Sequence, residues 1–282
     1  AALTALGTES FEISVTLTLT VIPLFVLMGN LAGVSGMSRD LFNAAYSWVG
    51  HWRGGLASAT IAGCAGFAAL SGSSIASAVT MGRVALPEMK RFKYGDSLAT
   101  GAVAAGGTLG ILIPPSTGLI IYAILTEQSI GRLFMAGIIP GILLTCLFLL
   151  AIAIVTKIKP EIGPVGPESS LVEKIKSLRR ALAMVAIVVA TIGGIYMGIF
   201  TPVEAAGVGA LLAFCVALYR KSLDREKMTF VILQTLQTTA TVFMILIGAH
   251  VFIPFMALTH IPADMVSFLV DLDVGKMGVI LL

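Results

Sequence analysis

The chain has 282 residues, of which 57% are hydrophobic and 12% charged, with a formal net charge of +3 and a mean hydropathy of +0.99. A soluble domain keeps about a quarter of its residues charged, so this composition excludes a soluble monomer and makes the bilayer the solvent. The basic residues fall in short clusters between apolar spans, which excludes a nucleic-acid partner.

The chain opens at Ala1 without a Met and closes at Leu282 inside a new apolar run, which reads as a piece of a longer protein. The first apolar run, about 13–35, approaches the ~20 residues needed to cross ~30 Å of hydrocarbon. A short amphipathic segment, 39–53, follows it, with Trp48 and Trp52 at interface-like positions. Residues 1–53 therefore read as a first scaffold helix and its amphipathic arm.

From Gly54 to Gly82, 21 of 29 residues are Gly, Ala, Ser or Thr. Lipid-facing helices favour large apolar side chains, so protein should shield this stretch. Its centre, Ser71-Gly72-Ser73-Ser74, is too polar for the middle of a spanning helix. The pattern predicts two short helices, about 55–69 and 74–86, forming a re-entrant hairpin over 54–86. Irregular backbone at membrane depth is tolerated only under protein or against a water-filled cavity.

The next apolar run, 97–126, is too long for one straight helix, and Gly106, Gly107, Gly110, Pro114 and Pro115 interrupt it. It reads as a broken helix, followed by a span at 131–156, so that hairpin, broken helix and span make one block over 54–156. Residues 157–180, rich in Pro, Gly and charge, read as a solvated cytoplasmic linker. Spans at 181–199 and 202–219 follow. The second opens with Thr201-Pro202-Val203-Glu204, in which Thr as N-cap, Pro at the first helical position and Glu at the third match a capping box. A second scaffold helix is expected at 229–257, with an arm at 261–272. Residues 273–282 would begin a truncated second hairpin.

With the hairpin re-entrant, all 18 Lys and Arg except Arg132 and Lys276 share one side of the membrane. A single crossing at 54–82 also obeys the positive-inside rule, so the small-residue composition decides for the hairpin. The basic side is expected to be the cytoplasm. The set at 229–272 then repeats the order of the set at 13–53 with inverted orientation. Inverted repeats with broken helices near the midplane are the architecture of many secondary transporters.

Two elements can meet at that midplane: the tip Ser71–Ser74 and the break at Gly106–Ser116. Pro114 and Pro115 remove two backbone donors, so carbonyls near Gly110 to Ile113 lose helical partners. Freed carbonyls and Ser hydroxyls are hard oxygen ligands suited to Na⁺. The start of a half-helix offers N–H groups and a positive dipole end to an anion. A kink or a helix-packing role is the alternative for either break taken alone, since Gly and Pro are common in transmembrane helices.

The strings GGTLGILIPPS, YAILTEQSIGRLFMAGIIPG and GGIYMGIFTPVEAAGVGAL, with LSGSSIASAVTMGRVALPEM, resemble the large permease subunit of tripartite ATP-independent periplasmic (TRAP) transporters. The resemblance covers nearly the whole chain. It implies an all-α integral membrane protein with an inverted-repeat, elevator-type fold, a re-entrant hairpin and broken helices. It implies a multi-pass subunit of the bacterial inner membrane that imports organic acids, of the C4-dicarboxylate or sialic acid class, on a sodium gradient. Its partners would be a small four-helix membrane subunit and a periplasmic substrate-binding protein. By motif matching, Na⁺ would be held by Ser71 and carbonyls of Gly110, Ile113 and Pro115. Ser73, Ser74 and Thr108 would lie near the substrate carboxylate. The second hairpin and a second sodium site would lie beyond Leu282.

A binding-protein-independent sodium/dicarboxylate carrier is the rival reading, and a pore is another. No HExxH, GxSxG or apposed Asp pair supports an enzyme. Cys64, Cys146 and Cys215 read as small buried hydrophobes. His51, His250 and His260 lack metal spacing, and Asp96 reads as a first-turn acid.

Overall fold

The computed structural model describes residues 15–271, with Phe11 and Gly278 outside that range. Among the described residues every regular element is helical. Two compact units divide the described residues, one spanning Thr18–Thr239 and one that includes α-helical residues from Ala240 onward.

In the larger unit a 3₁₀ turn, Leu17–Thr20, leads into α1, Val21–Val34, and a left-handed Gly36 turns the chain into the arm α2, Met37–Val49. The hairpin follows as α3, Gly55–Ser71, and α4, Ser74–Arg91. Almost every residue of α3 is buried, as its small side chains require, because only Ala, Gly and Ser let neighbouring backbones close on all sides of a helix. α5, Asp96–Leu112, carries Asp96 in its first turn and ends at a break before α6, Thr117–Leu125. α7, Ile130–Ile158, turns Ile139, Leu143, Leu147 and Leu150 outward, the face expected to meet hydrocarbon.

The expected linker at 157–180 is shorter than the sequence suggested and is not a free loop. α8, Leu171–Val188, begins ten residues before the apolar span predicted at 181. Its start is fixed by a second capping box, in which Ser170 Oγ accepts from Glu173 N and the Glu173 carboxylate accepts from Ser170 N. What remains, 159–170, is strapped to the base of the hairpin. Gly54 N donates to Gly163 O and Gly95 N to Ile162 O, so the N–H groups that start α3 and α5 find acceptors. Tyr94 closes the same corner, its hydroxyl donating to Pro164 O at 2.9 Å and accepting from Leu56 N at 3.1 Å.

α8 continues through a π turn at Val189–Gly193 and a short helical piece to Tyr196. α9, Pro202–Tyr219, opens with the predicted box: Glu204 accepts from Thr201 N at 2.8 Å and from its hydroxyl at 2.9 Å. Arg220, just past α9, pairs with Asp40 of the arm and also donates to Ser35 O and Arg180 O. α10, Arg225–Leu258, starts four residues before the predicted 229, and its Thr235 accepts from Asn30 of α1.

In the smaller unit α10 runs to Leu258, with His250 Nδ1 2.9 Å from Leu246 O, and α11, Ile261–Asp271, is helical over the stretch read from sequence as an amphipathic arm. The start of a second hairpin predicted at 273–282 lies outside the described residues, apart from Gly278.

Among the described residues, six helical stretches are long and apolar enough to cross a membrane: Leu17–Val34, Asp96–Leu125, Ile130–Ile158, Leu171–Tyr196, Pro202–Tyr219 and Arg225–Met256. Of the cysteines only Cys64 is buried; Cys146 and Cys215 are exposed on α7 and α9, where a small thiol costs nothing against an apolar surround.

Candidate functional site

Two interruptions of helix meet. The first is the hairpin tip, where Gly72, at φ +58, allows the chain to reverse after α3 in a left-handed conformation that side chains disfavour. Ser73 is the N-cap of α4 and its hydroxyl accepts from Ala76 N. The second is the break after Leu112. Ile113 precedes Pro114 and is therefore pushed out of the helical region, to φ −80 and ψ 120. Ser116 caps the new helix α6 and accepts from Leu119 N.

Thr117 joins the two interruptions. Its backbone N–H and its hydroxyl both donate to Gly72 O, at 3.1 and 2.9 Å. Glycine permits the close approach on each side. A Cβ on Gly72 would lie 2.5 Å from Pro115 O, and a Cβ on Gly110 would lie 2.6 Å from Ser73 O and 2.9 Å from Ser74 N. Gly110 and Pro115 are thus brought against the tip that carries Ser71, Ser73 and Ser74.

Ser71 is buried, and its hydroxyl lies 2.7 Å from that of Ser77, also buried. The Ile113 side chain packs towards α7, where a Cβ on Gly141 would lie 2.7 Å from it, and the Ile113 N–H donates to Leu109 O. Thr108 is exposed, with its hydroxyl turned back onto Ala105 O.

Three residues that sequence reasoning passed over belong to this junction: Ser77, Ser116 and Thr117. The signal for Ser116 was present, because a serine directly after a Pro-Pro break is placed to cap the following helix. Ser77 is the fourth residue of α4, and only the fold shows which way it faces.

The donor set is neutral and hard. It comprises the Ser71 and Ser77 hydroxyls, the carbonyls of Gly110 and Ile111, whose helical partners would be the missing N–H groups of Pro114 and Pro115, that of Ile113, whose helical partner Thr117 N donates to Gly72 O instead, and the Pro115 carbonyl at the tip. Such oxygens fit an alkali cation, whereas soft transition metals select thiolate or imidazole. No group of three or more His, Cys, Asp or Glu able to hold a metal occurs among the described residues. The N-termini of α4 and α6 both start at this junction and direct N–H groups and positive dipole ends into it.

Comparison with known proteins places these features in a family. The family described as "Tripartite ATP-independent periplasmic transporter, DctM component" matches residues 2–282. The chain is 39% identical over 272 residues to a C4-dicarboxylate TRAP transporter large permease protein of Pseudomonas aeruginosa, covering 96% of this chain and 63% of that protein. It is 35% identical over 266 residues to a sialic acid TRAP transporter large permease protein of Vibrio cholerae, covering 94% and 62%. It is 32% identical over 264 residues to an ectoine TRAP transporter large permease protein of Halomonas elongata, covering 93% and 61%. The chain spans about three-fifths of the length of these relatives.

Proposed function

Because this chain belongs to the DctM component family of tripartite ATP-independent periplasmic transporters, and is a multi-pass membrane protein with six apolar helices long enough to span, we propose that it is the transporting part of a sodium-driven importer of organic acids in the bacterial inner membrane. The importer works with a small four-helix membrane subunit and a periplasmic binding protein that delivers the substrate. C4-dicarboxylates and sialic acid are the substrate classes we favour, since relatives carry those names.

The observation that carries this reading is the fastening of the hairpin tip to the helix break through Thr117 and Gly72. It gathers uncharged oxygens and two helix N-termini in one place, a combination suited to a cation and a carboxylate together. Sodium is held by Ser71 with the carbonyls of Gly110, Ile113 and Pro115, and the substrate carboxylate meets Ser73, Ser74 and Thr108 at the N-termini. Each ligand reduces the charge penalty of the other, which couples substrate entry to sodium. Because tip and break are bonded to each other, they move as one body in an elevator-type cycle.

The test is thermal unfolding of the full-length protein with its small membrane partner, in NaCl and in choline chloride at equal ionic strength. A ligand present at a hundred times its Kd stabilises the folded state by about 2.7 kcal/mol. A saturable rise specific to Na⁺, removed by Ser71→Ala, supports the sodium site. The increment between the two salts is the readout, because the variant also loses its Ser77 hydrogen bond. Equal unfolding in both salts overturns sodium binding. Uptake that proceeds without any binding protein replaces this reading with an independent carrier.

A further inference from the structure

The first three turns of α8 extend beyond the predicted apolar span yet leave apolar side chains uncovered. Leu171, Ile175, Leu178 and Leu182 recur at helical spacing along one stripe, and all four are exposed, Leu171 at 75% and Ile175 at 67%. Cations border the stripe on both sides by the same 3.6-residue geometry, Lys174 on one edge and Arg179 on the other, with Lys176 farther round the helix on the Arg179 side. Lys174 Nζ sits 5.8 Å from the centre of the Trp48 ring, and Trp48, on the neighbouring arm α2, is itself 51% exposed. Within 168–180 the acids are Glu168 and Glu173, against four bases, and Glu173 is engaged by its capping box.

We propose that these turns of α8, with Trp48, form an interfacial platform for acidic phospholipid. Acyl chains and glycerol lie along the Leu171–Leu182 stripe, and phosphates meet Lys174, Lys176 and Arg179. An apolar stripe with cations on both margins and an aromatic ring at its rim is the pattern of a helix lying at an anionic membrane surface. Each basic residue near an anionic surface raises local partition roughly fivefold. The platform is independent of the sodium site.

The experiment uses the full-length protein in nanodiscs of phosphatidylcholine and phosphatidylglycerol, brominated on one lipid or the other. Tryptophan quenching is measured, and the part due to Trp48 is taken as the difference from Trp48→Phe. The expected result is at least twofold stronger quenching of Trp48 when the bromine is on phosphatidylglycerol. That excess is lost in Lys174→Gln/Lys176→Gln/Arg179→Gln, with the unfolding midpoint unchanged. Equal quenching by the two lipids overturns the headgroup preference. Absence of quenching by either lipid overturns the platform and identifies the face as covered by protein. Lys176→Gln/Arg179→Gln alone serves as a second variant that leaves the Lys174–Trp48 contact untouched, and retention of the full excess there also overturns the proposal.

Discussion

Thr117 gives two hydrogen bonds to one acceptor, the carbonyl oxygen of Gly72, across 45 residues of sequence. One of them is lost in Thr117→Val and the backbone bond survives. A hydrogen bond of this kind contributes about 1 kcal/mol net. Thr117→Val should lower stability by about that amount, measured as the unfolding midpoint of the full-length protein in detergent. Gly72→Ala should cost more, because it adds both a positive-φ penalty and a Cβ 2.5 Å from Pro115 O.

Two glycines of α5 predict opposite outcomes for the same substitution. Gly110→Ala drives a methyl into the Ser73–Ser74 backbone, which has no flexible end to yield, and typical overpacking costs of about 1–3 kcal/mol apply. Gly101 has nothing within 4 Å of its would-be Cβ. Gly101→Ala should therefore be neutral or stabilising by up to about 1 kcal/mol, from helix propensity alone. Comparing the two unfolding midpoints, and the sodium increment of each, checks this.

Asp40→Asn leaves the Arg220 guanidinium half-buried without its carboxylate. Breaking a fully buried pair costs about 3–5 kcal/mol, and this one is partly screened by solvent, so about 1–2 kcal/mol is expected. Arg220→Lys should not restore the loss. One guanidinium reaches Asp40, Ser35 O and Arg180 O together, and a single ammonium lacks that fork.

Tyr94 makes the strap sensitive to alkali. Its burial raises the phenol above its ordinary value near 10, outweighing the Leu56 N–H, which favours the phenolate. A raised folded pKa contributes stability that is present below pH ~10 and is lost as pH climbs through the folded value. Once ionised, the oxygen can no longer donate to Pro164 O. Stability should fall above pH ~10 in the native protein, and the slope should be shallower in Tyr94→Phe. Alkaline unfolding followed at several pH values checks the sign.

Glu204 is engaged twice by Thr201 and lies exposed at a helix start. A glutamine serves the same cap. Glu204→Gln should change stability by less than about 0.5 kcal/mol and leave the proposed uptake intact. Loss of uptake in that variant would identify the carboxylate as part of the transport path.

The hairpin, the break and the capping box at Thr201 were legible in the sequence because each depends on local chemistry. Small residues demand close packing, Pro-Pro removes donors, and Thr-Pro-x-Glu satisfies its own N–H groups. The start of α8 was missed for the opposite reason. Its first turns carry five charged residues in eight positions, Glu173 to Arg180, which hid them from a search for apolar length, although the Ser170–Glu173 box was there to be read. Linker and strap were confused because the acceptors of Gly54 N and Gly95 N come from Gly163 and Ile162, remote in sequence. At the site, Ser71 and Gly110 could be matched to one junction by motif, whereas the inward turn of Ser77 and the exposure of Thr108 follow only from how α4 and α5 are rotated.

The strap also acts as a leash. Gly163 is held at the hairpin base by Gly54, and Ser170 is held at the head of α8, so seven residues connect two anchored points. Fully drawn out, seven residues reach no more than about 25 Å. While the Gly54–Gly163 bond survives, the hairpin cannot travel farther than that from the start of α8. The stroke of any sliding motion is thereby capped by chain length, and a longer stroke would have to unfasten Gly163 first.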